Sequence, residues 1–291
     1  MFRLLVFFGM LGLNACDESD PRSSKRPAHP VPSPPAKVSN LQFHQLTPDI
    51  FVGPRPSQEH IGELKALGIK KVISVDALPP KSSLWAEAIQ IRHLPAGYQA
   101  LPKTLQLRLA RELSMDPVKT YIHCHHGKHR APAAALAALR TLGQLDQAEA
   151  RAWLDRCGVG YQSLRKSVQD AQPESTQNIQ SAMPLEEVAA TRSLSRLMAE
   201  IDQVWDRLKK VPSPDDPKLS TQTEDAAHLL DLFRLSSETA GPVDPVYPKQ
   251  MQEAIRLATA LESELQNGED AAKLRADLRT SCRTCHRAFR N

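Results

Sequence analysis

The hydrophobic period of this chain changes near residue 185, and that change limits the fold more than any single motif does. Between residues 38 and 172, short β-rich runs (Ile50 to Val52, Lys71 to Val75, Ile89 to Leu94, Thr120 to His123) alternate with helical patterns such as Glu59 to Leu67 and Leu101 to Leu113. Strands alternating with helices of this length predict an α/β domain with a mainly parallel sheet, whose site lies at the carboxyl ends of its strands. From Leu185 to Asn291 the alternation stops. Leu194, Leu197, Ile201, Val204, Leu208 and Val211 recur at three and four, and the pattern returns in Ala226 to Leu235, Met251 to Leu265 and Ala271 to Phe289. Pro212, Pro214, Pro217 and the stretch Gly241 to Pro248 read as breakers, so an all-α bundle of four antiparallel helices is expected.

A length of 291 residues fits two such domains, because single cores seldom grow past roughly 250 to 300 residues. The polar stretch Pro173 to Pro184 (PESTQNIQSAMP) marks residues 173–184 as the linker between them. With 41% hydrophobic residues both parts can bury a core. The net charge of +4 comes without a dense Lys/Arg block, so no nucleic-acid partner is expected.

Arg3 and the apolar run Leu4 to Leu13 (LLVFFGMLGL) read as a signal-peptide core, too short to span a bilayer as a stable helix. The run ends in Leu13-Asn14-Ala15-Cys16, which resembles the lipobox of bacterial lipoproteins. That resemblance implies a signal peptide of residues 1–15, a diacylglycerol thioether on Cys16, and a periplasmic protein anchored to a membrane by lipid. Asp17 resembles the residue that retains lipoproteins at the inner membrane in enteric bacteria. The alternative is a plain secretory signal followed by an unrelated cysteine. Residues 16–37, with Pro21, Pro27, Pro30, Pro32, Pro34 and Pro35 and little to bury, read as an extended tether.

At one strand end stands His123-Cys124-His125-His126-Gly127-Lys128-His129-Arg130, followed by the helix-forming run Ala131 to Leu142. A cysteine, five loop residues and an arginine opening a helix suit an oxyanion. Loop N–H groups converge on it, the helix dipole adds positive potential, and Arg130 offers a two-pronged fork. The same field favours the thiolate, the nucleophilic form of cysteine. The segment resembles the signature loop of the protein tyrosine and dual-specificity phosphatases. The resemblance implies that Cys124 attacks phosphorus, that Arg130 clamps phosphate beside His125, His126, Gly127, Lys128 and His129, and that His123 orients the cysteine. Two departures stand out: Ala131 occupies the position of the family's Ser or Thr, and Leu94 to Pro102 (LPAGYQALP) lacks the family's general-acid aspartate, leaving Asp76 as the nearest candidate. The expected partner is a phosphorylated substrate or small anion. Alternatively, Cys124 with His123, His125, His126 and His129 could be a zinc or copper site. Cys157 is either a small buried residue or a disulfide partner for Cys124.

The last helical run carries Cys282-Arg283-Thr284-Cys285-His286. On a helix these side chains share one face, where two thiols can add to the vinyl groups of a haem and the imidazole can ligate its iron. A four-helix bundle ending in this motif resembles cytochrome c prime and its low-spin relatives. The resemblance implies a covalent haem c held by Cys282, Cys285 and His286, with the opposite face of the iron supplied from the first helix. Met198 is either that ligand or a core methionine. A redox partner and a homodimer through the bundle are the remaining expected associations.

Overall fold

The computed structural model describes residues 36–38, 41–80, 89–190, 192–210, 219–239 and 246–289. The expected signal peptide and Cys16 lie outside these residues. Six strands, β1 (Ala36–Val38), β2 (Leu41–Gln45), β3 (Ile50–Gly53), β4 (Lys71–Ser74), β5 (Gln90–His93) and β6 (Thr120–His123), form one sheet in the order β1-β2-β3-β6-β4-β5. β3, β6, β4 and β5 are parallel, as expected, but β1 and β2 add an antiparallel edge, so the sheet is mixed. Ala36 and Lys37, read from sequence as tether, belong to β1. β2 alternates buried Leu41 and Phe43 with exposed Gln42, a half-buried edge pattern over too few residues to stand out.

Five helices cover the sheet: α1 (Gln58–Ala66), α2 (Lys103–Met115), α3 (Arg130–Thr141), α4 (Gln147–Cys157) and α5 (Gln162–Asp170). Every residue of α3 is buried, and it packs on α2, α4, α5, β3 and β6. Between the arginines Arg130 and Arg140 the run Ala131 to Leu139 is apolar all round, as a helix covered on all sides needs, and its alanines let its neighbours approach closely. α4 starts where Asp146 accepts from the Glu149 N–H and Glu149 reciprocates, both at 2.8 Å, and it ends at left-handed Gly158.

The expected linker holds a further helix, α6 (Thr176–Ser181), capped by Ser175. It is fastened along α2: Arg111 donates to the Gln180 carbonyl at 3.2 Å, and Arg108 to that of Pro184 at 2.8 Å. Four helices follow, α7 (Leu194–Leu208), α8 (Leu219–Thr239), α9 (Val246–Asn267) and α10 (Ala272–Phe289), with α7 on α8, α8 on α9 and α9 on α10. Pro248 lies in the first turn of α9, where its missing N–H has no helical partner to lose, rather than in a break.

α8 joins the two regions. It is longer than the periodic run Ala226 to Leu235, and Ala226, Ala227 and Leu229 to Ser236 are all buried. Ala227 belongs to the apolar cluster of Cys124 and Ala131, while Leu78, after β4, belongs to that of Leu197 and Leu229. The two cores therefore interlock.

Candidate functional site

Each parallel strand delivers a polar group at its carboxyl end. Arg55 follows β3, Asp76 follows β4, Tyr98 lies in the loop after β5, and Cys124 follows β6. The register sets Gly53 and Ser74 on either side of His123, so the three strand ends are level. The loop from Cys124 to Arg130 then turns across them. Gly127 has φ +73°, and a Cβ there would lie 2.0 Å from the Pro54 nitrogen and 2.1 Å from the Gly53 carbonyl carbon. Only glycine lets the loop rest on β3 this closely.

Arg130 is the largest fully buried side chain. Its guanidinium lies over the Tyr98 ring, 4.3 Å from the centroid. Nη1 donates to the Ala96 carbonyl at 3.2 Å and to Asp231 Oδ2 at 2.6 Å, while Nη2 donates to Asp76 Oδ1 at 3.4 Å and Asp231 Oδ1 at 3.5 Å. Nε is buried without a protein partner. Asp76 also accepts from Arg234 at 3.2 Å on each oxygen and pairs with Arg55 at 3.1 Å.

Burial alone would raise the Asp76 pKa, but the guanidiniums of Arg130, Arg234 and Arg55 outweigh it and hold the carboxyl well below the ordinary range. Burial likewise opposes the charge on Arg130, yet Asp231, Tyr98, Cys124 and Asp76 raise its pKa. Arg55, Arg130 and Arg234 face Asp76 and Asp231, with Glu238 acting on Arg55 and Glu262 on Arg130 and Arg234, so that guanidiniums and carboxylates interleave beside the loop.

The loop histidines divide. His125 is half-buried and His126 exposed, their rings 4.3 Å apart. His129 is turned into the corner between α4 and α5, where Nδ1 accepts from the Gly160 N–H at 3.1 Å and the ring meets Tyr161 edge-on. Burial, then nearby cations, depress His125 to about 3, and burial, then Lys128, depress His129 to about 4. His123 is fully enclosed, and burial, then Arg55, depresses it to about 4. Lys128 is exposed and lies over Gly158. Among the described residues no three His, Cys, Asp or Glu side chains are placed to hold a metal ion. Cys124 and Cys157 are both buried and free, and burial pushes the Cys157 thiol up to about 12.

The second cluster lies on α10. Cys282, Cys285 and His286 are half-buried, and with Met198, Ile201, Phe233 and Met251 they line a cleft of about 310 Å³. An adjoining cleft of about 400 Å³ shares Met198, Cys285 and His286 and adds Tyr247 and Phe289. The three motif residues and Met198 thus converge on mostly apolar space of the kind a flat macrocycle with two thioether links needs, so the residues fit a haem. Cys282 and Cys285 are free thiols; burial, then Cys285, pushes Cys282 up to about 11.

Sequence reasoning missed Arg55, Tyr98, Asp231 and Arg234. The usable signal was Leu229-Leu230-Asp231-Leu232-Phe233-Arg234-Leu235, where two opposite charges three residues apart interrupt an apolar run.

No family model and no curated protein matches the chain. Among solved structures, a variant of P. aeruginosa TpbA in complex with phosphotyrosine is similar at 18% identity over 52% of this chain and 96% of that one, with a TM-score of 0.42. The catalytic core of the S. cerevisiae PP-IP phosphatase SIW14, in complex with citrate, is 18% identical over 54% and 99%, with a TM-score of 0.41. A DUF442 protein of Shewanella putrefaciens CN-32 is 15% identical over 44% and 87%, with a TM-score of 0.36. These neighbours have tyrosine- or dual-specificity-phosphatase-like folds, and the likeness is one of fold.

Proposed function

We propose that this chain is an exported, lipid-anchored protein in which a cysteine-dependent phosphatase-like domain is joined to a cytochrome c prime-like four-helix bundle carrying a covalent haem c. The observation that carries the first half is the loop pinned by Gly127, with Cys124 at the end of β6 and fully buried Arg130 opening α3. In this reading the Cys124 thiolate attacks phosphorus and the ester oxygen leaves with the electrons of its P–O bond. Water then cleaves the S–P bond, releasing phosphate and regenerating the thiolate. Asp76, held ionised, has no proton for the leaving oxygen and is assigned to positioning Arg55, Arg130 and Arg234. Leaving groups that depart as stable anions are therefore favoured.

A second reading is supported by the paired state of Arg130: the first domain binds an anion without turnover, and the protein is a haem-based sensor or electron carrier. The haem would supply redox or gas-ligand chemistry, and Cys282, Cys285, His286 and Met198 are the residues that would hold it. Phosphate release from an aryl phosphate separates the readings. Release lost in Cys124→Ser supports the phosphatase, and equal release in both proteins refutes it. Haem that resists acidified organic extraction supports the attachment, and freely extracted haem refutes it. Loss of membrane association in Cys16→Ser supports the lipid anchor in the same way.

A further inference from the structure

The fork of Arg130 already holds an anion, and the helical region supplies it. Asp231 on α8 sets Oδ2 at 2.6 Å from Nη1 and Oδ1 at 3.5 Å from Nη2 of Arg130. Two carboxylate oxygens on two guanidinium nitrogens is how a fork grips an oxyanion, phosphate included. Oδ1 of Asp231 also accepts from Arg234 at 2.8 Å, and Arg234 in turn holds Asp76. The contact is wholly enclosed: Asp231 is 4% exposed, Arg234 8% and Arg130 0%. A charge pair shielded in this way is costly to leave half-made. α8 is therefore kept in place by the same charge that the loop would use to bind phosphate. Phe233, between the two charged residues, lines the cleft of Cys282 and His286, so the helix that fills the clamp also walls that cleft.

We propose that Asp231 is an internal substitute for the phosphoryl group, holding the loop closed to external oxyanions until α8 withdraws. The proposal rests on the reading of Arg130 as the phosphate clamp. It assigns the helical region a regulatory task, in which movement of α8 exposes Arg130 and removes its resident carboxylate in one step. Asp76 and the Ala96 carbonyl stay with Arg130 when Asp231 leaves, so the clamp does not lose every partner on opening.

The test is calorimetric binding of orthovanadate to the full-length protein and to Asp231→Asn, which keeps shape and removes charge. The expected result is an affinity at least about ten-fold higher in the variant, or about 1.4 kcal/mol. In vanadate-saturated wild type, the amides of Leu229 to Leu235 should lose protection from hydrogen exchange, and this arm decides if the variant does not fold. Equal affinities for the two proteins, or unchanged protection at saturation, overturn the plug and leave the cradle standing. Absence of vanadate binding by both wild type and a folded Asp231→Asn overturns the cradle, and the plug with it.

Discussion

The two cysteine sites of this protein are opposite in kind. Cys124 is 2% exposed at the end of a central strand, beside an arginine whose charge is already met by Asp76 and Asp231. Cys282 and Cys285 are half-buried on one helix face, beside a mostly apolar cleft of about 310 Å³. The first site is assembled by the fold from many elements and satisfied by internal ion pairs. The second takes its thiols and imidazole from the spacing of one helix, and α7, α8 and α9 complete a cleft that a large apolar group would fill. One site is thus closed by an internal ion pair and the other opens on an apolar cleft, and although α8 borders both, loss of the reactive side chains of one should be independent of the other.

The largest test of that independence is Cys282→Ser with Cys285→Ser. Covalent haem should vanish entirely from the pyridine haemochrome spectrum, while vanadate binding at the loop stays intact. Loss of both together would show that the sites are not separable. The reciprocal change, Cys124→Ser, should reduce phosphate release from an aryl phosphate by on the order of 10⁴-fold or more and leave the haem spectrum unchanged.

The motif residues of both sites were legible because each is local. A Cys and an Arg six residues apart after an apolar run, and two Cys with a His within one helical turn, need no distant partner to be recognised. What surrounds them was not. Asp231 meets Arg130 across 101 residues and Arg234 meets Asp76 across 158, pairings that no local period encodes. The parallel strands lie in β-rich runs, whereas β2 sets only two apolar side chains, Leu41 and Phe43, among polar neighbours. α6 reads as linker because its six residues carry one buried apolar side chain, Ile179, and its segment is held by Arg108 and Arg111 of α2.

The loop itself is sharpened by Gly127→Ala. A Cβ within 2.1 Å of β3 backbone, at φ +73°, should cost about 2 to 4 kcal/mol in urea unfolding. A loss below about 0.5 kcal/mol would mean the loop does not rest on Gly53. Arg130→Lys keeps the charge and removes the fork. Anion affinity should fall roughly ten-fold, and a ratio of one would show that the two-pronged grip is not used.

A further expected effect is on pH dependence. His123 and His129 titrate near 4 in the fold, against about 6.5 when unfolded, so between those values the unfolded chain binds protons that the folded chain refuses. Their contribution leaves stability unchanged above pH 6.5 and reduces it as pH falls from 6.5 to 4, by up to about 1.4 kcal/mol per unit for each. His129→Gln, which keeps an acceptor for the Gly160 N–H, should flatten that slope in urea midpoints measured between pH 7 and 5. An unaltered slope would show that His129 binds its proton equally well in the folded and unfolded chains.

The central claim is that Cys124 forms a bond to phosphorus. Rapid acid quench of the full-length protein mixed with an aryl phosphate, followed by mass analysis of its peptides, reads that bond directly. A phosphoryl adduct should appear on the peptide containing Cys124, at higher occupancy in Asp231→Asn than in wild type and absent in Cys124→Ser. Phosphate release in wild type with no adduct on that peptide, or an adduct that persists in Cys124→Ser, would contradict it.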